Sequence, residues 1–85
     1  MGLKKDFDQA AKDALTLPPS TTNDDKLVLY GLFKSATVGK SETSRPGIFD
    51  PKGRVKWDAW KMVEDKSKDE GMQDYILKVT QLKEA

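Results

Sequence analysis

Aromatic and cationic side chains recur at helical spacing in the middle of the chain. Tyr30 and Lys34 are four residues apart, as are Lys52 and Lys56, and residues four apart lie on the same face of a helix. Tyr75 adds a second phenol ring near the end. Rings beside several ammonium groups suit a ligand with a flat base and phosphates, because the ring stacks on the base and lysine acts as a point charge on phosphate. Core tyrosines and solvated lysines give the same pattern, so the spacing alone leaves both interpretations open.

The formal net charge of +1 is spread unevenly along the 85 residues. Residues 26–61 contain eight Lys or Arg and three acids, a net charge of +5, whereas residues 1–25 and residues 62–85 each have a net charge of −2. A positive middle between acidic ends favours a local site for an anion. It argues against nucleic acid as a partner, which calls for excess positive charge over the whole domain. Ordinary variation on a mixed surface explains the distribution equally well.

The chain has no cysteine and no histidine. Disulfides, zinc sites of the Cys/His type, and thiol or imidazole catalysis all need one of these residues. Serines such as Ser35 and Ser41 have no histidine to activate them, and no pair of carboxylates is marked by the sequence as sharing a site. We therefore expect neither an enzyme nor a metal or cofactor site.

The composition and the start of the chain predict where the protein works. With 36% hydrophobic and 34% charged residues, the chain has the composition of a soluble folded protein. No apolar run approaches the ~18–20 residues needed to span a bilayer, and no apolar stretch follows Lys4 and Lys5 as it does in a signal peptide. We expect a cytoplasmic protein without stable membrane insertion.

Four segments with helical periodicity predict an all-α fold in a single domain over residues 1–85. The predicted helices cover about residues 4–17, 24–38, 51–63 and 68–82. Residues typical of helix ends mark their boundaries: Pro18-Pro19, Gly39, Asp50-Pro51, and the capping box of Ser67 and Glu70. The sequence therefore predicts a four-helix domain.

The second predicted helix is apolar nearly all the way round between Leu27 and Phe33. Such a helix must be covered on more than one side, by neighbouring helices and by an apolar ligand or partner. On the third helix, at least one of Trp57 and Trp60 is expected to anchor the helix to the bundle. A role for these rings in stacking on nucleic acid is disfavoured by the acidic flanks.

Three motifs in the middle of the chain carry a resemblance to a known family. They are YGLFKSATVG at residues 30–39, RPG at residues 45–47 and KGRVKWDAW at residues 52–60. In this order and at these spacings the chain resembles the acyl-CoA-binding protein family. The match extends from Phe7 and Ala10 near the start to Tyr75 and Val79 near the end, so it covers essentially the whole chain.

The resemblance implies a four-helix bundle of up-down-down-up topology that binds one acyl-CoA per monomer. The protein would be a carrier or buffer of medium- to long-chain esters and would meet acyl-CoA-using enzymes transiently. The implied binding residues lie on all four helices. Ala10 and Leu27 line the site. The others hold the adenosine 3′-phosphate end or line the groove for the acyl chain: Tyr30, Phe33, Lys34, Lys52, Lys56 and Tyr75.

Several positions depart from the pattern of the family. Phe33 stands where a second tyrosine is common, Ser35 replaces a glutamine, and Leu15 occupies a position where a lysine often approaches the phosphates. Lys12 and Lys26 are candidates to replace that charge. Pro18-Pro19 makes the first connection stiffer than is common.

A different class of function fits part of the same evidence. A helical protein-interaction or signalling module would use the apolar surface from Leu27 to Phe33 to bind a helix of a partner instead of a lipid tail. A thioesterase is disfavoured by the lack of histidine and cysteine. The acyl-CoA carrier is the function that the sequence supports best.

Overall fold

A computed structural model describes residues 2–84 and confirms the all-α, four-helix fold. The helices are α1 (Leu3–Asp13), α2 (Asn23–Thr37), α3 (Pro51–Lys61) and α4 (Lys68–Lys83). A 3-10 turn at Ala14–Thr16 follows α1, and residues 2–84 contain no strand. The domain predicted over residues 1–85 also includes Met1 and Ala85, which lie outside the described residues.

The ends predicted at Gly39, at Asp50, and at Ser67 and Glu70 are confirmed, and Thr22 caps the start of α2. Thr22 and Asp50 each accept a hydrogen bond from the backbone N–H three residues further on, at 3.1 Å and 3.0 Å. Ser67 and Glu70 form a complete capping box at the start of α4. Gly39, with φ of 94°, follows the end of α2 in the left-handed conformation that favours glycine.

Two predicted helix ends were wrong. The first helix ends at Asp13 rather than Leu17, because the chain tightens into the 3-10 turn and Leu17 is extended (φ −63°, ψ 154°), as suits a residue before proline. The third helix ends at Lys61 rather than Val63. After Lys61 the backbone changes to three-residue hydrogen bonds, such as that from the Val63 N–H to the Trp60 carbonyl at 3.2 Å.

The core lies between α1, α2 and α4. It consists of eight buried side chains: Phe7, Ala10, Leu29, Leu32, Ala36, Tyr75, Val79 and Leu82. Trp60 is the buried side chain of α3, and its indole N–H donates to the Gly39 carbonyl at 2.7 Å. This confirms the expectation that one of the two tryptophans anchors α3.

Contacts between α2 and α4 show that these helices are antiparallel. Lys78 in the second half of α4 is ion-paired with Asp25 at the start of α2, at 2.9 Å. Gly71, near the start of α4, lies against Ser35 and Ala36 near the end of α2. The hydrogen bond from Lys78 holds the pKa of the Asp25 carboxyl below its ordinary value.

Contacts between α1 and α4 show that these two helices run in the same direction. Phe7 packs against Tyr75 with ring centroids 5.1 Å apart, and Asp13 near the end of α1 pairs with Lys83 near the end of α4 at 3.1 Å. The last residues of both helices therefore meet at the same end of the bundle.

At Gly31 the backbone of α2 lies directly against the backbone of α3. A Cβ atom at this position would collide with the Ala59 carbonyl oxygen and lie 2.9 Å from the Ala59 carbonyl carbon. Because these are backbone atoms of α3, no side chain can move to make room. The lack of a side chain at Gly31 thus sets the spacing of α2 and α3, which hold most of the predicted site residues.

We expect Gly31→Ala to destabilise the fold by about 1–3 kcal/mol, since inserting a methyl group into a packed contact costs that much. Chemical unfolding of the variant and the parent measures the difference in free energy. Gly47→Ala is the matched control, because no atom lies within 4 Å of the added Cβ there. Equal destabilisation by the two changes would refute the close contact.

Candidate ligand-binding site

Two cavities adjoin on the surface of α2, and aromatic side chains dominate the first. This aromatic cavity has a volume of about 420 Å³. Three of its rings come from α2 and α4, namely Tyr30, Phe33 and Tyr75, and the connection after α1 supplies the opposite wall. The residues of that wall are Ala14, Leu15, Leu17, Pro18, Pro19 and Thr21.

Two rings that line the aromatic cavity, Phe33 and Tyr75, pack against the ring of Phe7 in the core. Phe33 stacks on Phe7 with centroids 5.6 Å apart, and Tyr75 meets both rings at tilted angles with centroids 5.1 Å and 5.9 Å away. Tyr75 is buried, and burial raises the pKa of its hydroxyl, which therefore stays protonated at neutral pH. The aromatic cavity is thus bounded on this side by rings that the core holds in place.

The second cavity lies between α2 and α3 and has a volume of about 520 Å³. Lysines surround it: Lys26 from α2, and Lys52 and Lys56 from α3. The ammonium of Lys56 lies 5.5 Å from the centroid of the Tyr30 ring. Leu27, Val55 and Asn23 complete the lining of this cationic cavity.

The three lysines of the cationic cavity have no carboxylate partners among residues 2–84. The salt bridges within that range are formed by other lysines and by Arg45. Three positive charges without counter-charges around one cavity attract an anion. Three of the eight positive residues of the middle segment thus surround one cavity, which favours the interpretation of the charge pattern as a local site for an anion.

The two cavities share residues and can hold two parts of one molecule. Lys26 and Tyr30 line both of them, so the cavities meet at these side chains. One side of the combined site offers aromatic rings and apolar surface, and the other offers ammonium groups. A ligand that fits both must carry a flat or apolar part next to phosphate or another anion.

Six of the eight predicted site residues line these cavities. Tyr30, Phe33 and Tyr75 line the aromatic cavity, and Leu27, Lys52 and Lys56, again with Tyr30, line the cationic one. The other two lie elsewhere, and a role in ligand binding stays a prediction for all eight. Lys34 places its ammonium 5.1 Å from the centroid of the Trp60 ring, and Ala10 is buried in the core.

Sequence reasoning missed the wall that the first connection contributes. Leu17, Pro18 and Pro19 line the aromatic cavity, although the two prolines were interpreted only as a helix end and as a stiff connection. Lys26 was considered only as a replacement for charge at Leu15, yet it lines both cavities. Neither role has a signal in residue spacing, because both depend on how the connection folds back against α2.

Residues 2–84 contain neither a cluster of metal-binding side chains nor a helix that could span a membrane. No group of three or more carboxylates lies where it could hold a metal ion. None of the helices has the length and apolar character needed to cross a bilayer.

Comparison with known proteins gives consistent matches over nearly the whole chain. The sequence model of the family described as acyl CoA binding protein matches residues 4–79. The chain is 63% identical over 84 residues to Acyl-CoA-binding domain-containing protein 1 of rice (Oryza sativa subsp. japonica), covering 99% of this chain and 92% of that protein. It is also 63% identical over 84 residues, 99% of this chain, to rice Acyl-CoA-binding domain-containing protein 3, of which it spans only about half (54%). The crystal structure of Oryza sativa Acyl-CoA-Binding Protein 2 superimposes with a TM-score of 0.95 at 60% identity, over 98% of this chain and 92% of that one.

Proposed function

The chain belongs to the acyl-CoA-binding protein family, and from this premise we propose that it binds medium- to long-chain acyl-CoA esters, one per monomer, and carries or buffers them without changing them. The observation that carries the proposal is the junction of an aromatic cavity with a cationic one at Lys26 and Tyr30. Acyl-CoA combines a flat base, phosphates and an apolar chain, which are the three features that this combined site complements. A cytoplasmic location and transient contact with acyl-CoA-using enzymes belong to the same proposal.

Each part of the ligand has a proposed place. The adenine ring packs in the aromatic cavity beside Tyr30, Phe33 and Tyr75, where the Phe33 and Tyr75 rings already pack against each other at a tilted angle. The phosphates lie next to Tyr30, within reach of the unpaired ammonium groups of Lys52 and Lys56.

The acyl chain follows the apolar floor of the cationic cavity, past Leu27 and Val55. We also propose that Lys34 contacts a phosphate, because it lies one helical turn from Tyr30. Its flexible side chain is long enough to move from the Trp60 ring toward a ligand. The proposal that Ala10 lines the binding site rests only on the resemblance to the family.

Lys56→Gln tests the placement of the phosphates. We expect the dissociation constant for palmitoyl-CoA to rise about 5- to 30-fold, as loss of one hydrogen bond to a charged group implies. The difference in affinity between variant and parent should shrink as salt is added, because salt screens the attraction of Lys56 for phosphate, which only the parent has. Calorimetric titration measures both effects.

Lys61→Gln is the matched control for this experiment. Lys61 is on the same helix and also lies over an aromatic ring, 5.8 Å from the centroid of Trp57, but it lines neither cavity. We therefore expect its substitution to leave the dissociation constant unchanged within about twofold. The substitution also removes the ion pair with Glu64, but such a surface pair contributes little to the stability of the fold. An unchanged constant in Lys56→Gln would remove Lys56 from the site.

A further inference from the structure

The turn just before α3 exposes two large apolar side chains. The Asp50 N–H donates to the Gly47 carbonyl at 3.0 Å, so Ile48 and Phe49 occupy the two central positions of a four-residue turn. Small or polar residues and proline usually take such positions, because they suit the geometry of a turn or bond to its backbone. Ile48 is 70% exposed and Phe49 is 95% exposed, and neither belongs to the core. The packing of the fold therefore gives no reason for apolar residues at this turn.

The connection that carries the turn is fastened to the bundle on both sides of the two apolar residues. Before the turn, Arg45 donates two hydrogen bonds to the Asp58 carboxylate, at 3.0 Å and 2.8 Å. The Trp57 indole N–H also holds the Thr43 carbonyl, at 3.1 Å. After the turn, the Asp50 side chain caps the start of α3. The two apolar side chains are thus held at the surface, and little conformational entropy is left to lose when they make a contact.

Positive charge surrounds the turn. Residues 40–56 contain five Lys or Arg and two acids, a net charge of +3. Arg45 is paired with an acid outside this range, but Lys52 and Arg54 form no salt bridge within the described part of the chain. Lys52 is three residues from Phe49, a backbone distance of at most about 11 Å. An exposed ring and an unpaired ammonium can therefore meet the same surface.

The rest of the charge distribution determines which side of the molecule faces an anionic surface. The segments 1–25 and 62–85, which contain α1 and α4, each have a net charge of −2. An anionic surface repels these two helices and attracts the turn and the start of α3. Lipid hydrocarbon takes up apolar side chains, and anionic headgroups take up the cations beside them. A fluid bilayer accepts adjacent side chains of any shape, whereas a protein would need a pocket made for them.

We propose that the turn of Ile48 and Phe49 is a contact site for the surface of an anionic phospholipid bilayer, with Lys52 and Arg54 beside the headgroups. The contact is peripheral and reversible, because two side chains bury too little apolar area to anchor a protein. Since Lys52 also lines the cationic cavity, the contact brings that cavity next to the lipid surface. The inference goes beyond the proposed function and does not depend on it.

The test is flotation of the whole chain with two kinds of vesicle, phosphatidylcholine alone and equal parts of phosphatidylcholine and phosphatidylserine. We expect the parent to bind the mixed vesicles at least about tenfold more tightly, because each basic residue near an anionic surface contributes about fivefold. Ile48→Ser/Phe49→Ser should bind the mixed vesicles about 10- to 100-fold more weakly than the parent, which corresponds to half-burial of the two side chains. Its affinity for palmitoyl-CoA without vesicles stays within about twofold of the parent's, since neither residue lines the aromatic or the cationic cavity.

Leu77→Gln is the matched control, because Leu77 is 56% exposed on α4, away from the turn. This variant should bind the mixed vesicles as the parent does, within about twofold, and thermal unfolding checks that each variant is folded. Equal binding of the parent and the double variant overturns the inference, and so does equal binding of the parent to neutral and mixed vesicles. Absence of binding to either vesicle also overturns it and makes a protein pocket the occupant of the turn, while the proposed function stays intact.

A second measurement locates the contact on the parent itself. In nanodiscs of the mixed lipids that include a nitroxide-labelled lipid, the NMR signals of the Ile48 methyl groups should broaden and those of the Leu77 methyl groups should not. Broadening at Leu77 without broadening at Ile48 would place the contact on α4 and overturn the inference.

Discussion

Palmitoyl-CoA should bind this protein at least about a thousandfold more tightly than free CoA does, and about thirtyfold more tightly than palmitate does. Complete burial of the 16-carbon chain contributes at most about 11 kcal/mol, at ~0.8 kcal/mol per methylene. The cavities are open to solvent on one side, and half of that value corresponds to about four orders of magnitude in affinity. Free CoA lacks this contribution, and palmitate lacks the contacts of the phosphates with Lys52 and Lys56.

Neither half of the ligand alone can reach nanomolar affinity. That affinity requires about 12 kcal/mol, and association costs several kcal/mol of translational and rotational entropy before any contact counts. Contacts of lysine with a partly exposed phosphate contribute about 1 kcal/mol each and weaken with salt. The chain end and the head group must therefore bind together.

Calorimetric titration with the three compounds measures the difference. Free thiol should not appear when palmitoyl-CoA is incubated with the protein, because binding without hydrolysis is proposed. Equal affinity for palmitate and palmitoyl-CoA would contradict the role of the cationic cavity. Tight binding of CoA alone would contradict the role of the apolar surface.

Trp60→Ala should destabilise the fold by about 3–5 kcal/mol, as removal of a buried large aromatic side chain does. Trp60 is 8% exposed, is the buried side chain of α3, and holds the Gly39 carbonyl through its indole N–H. A domain of this length has a stability of about 4–13 kcal/mol, so the change removes a large share of it. The melting temperature should fall by at least about 12 °C. Thermal and denaturant unfolding measure the loss.

Two companion variants separate packing from hydrogen bonding. Trp60→Phe keeps a ring but removes the donor to Gly39, and it should cost less than the alanine change. Trp57 is only half-buried, and its N–H reaches the Thr43 carbonyl at 3.1 Å on the surface, so Trp57→Ala should also cost less. If Trp57→Ala and Trp60→Ala are equally destabilising, Trp60 is not the anchor of α3.

The helices were predictable from the sequence where a local interaction fixes them. The capping box at Ser67 and Glu70 and the left-handed Gly39 are satisfied by residues three to five positions away, so their signals are complete in the sequence. The end of α1 was not predictable in this way. Apolar spacing continued to Leu17, but the chain follows a tighter 3-10 path there before the extended residue that proline requires.

The candidate site was predictable where the family resemblance covers it. Tyr30, Lys52 and Lys56 stand in matching motifs and line the cavities. Spacing alone gave Tyr30 and Lys34 the same face of α2, but it could not show that Lys34 extends over Trp60, 26 residues further along the chain. Such an arrangement depends on how α3 packs against α2 at Gly31, which is a tertiary contact.

The two prolines in the wall of the aromatic cavity have a consequence for the entropy of binding. Each proline ring fixes its own φ angle, and Pro18 holds Leu17 extended, so this stretch has few conformations to lose when a ligand arrives. The conformational entropy of this wall is therefore lost when the protein folds, and little more is lost when a ligand binds. One side of the aromatic cavity is thus preorganised for its ligand, and head-group binding should involve little rearrangement of the backbone between α1 and α2.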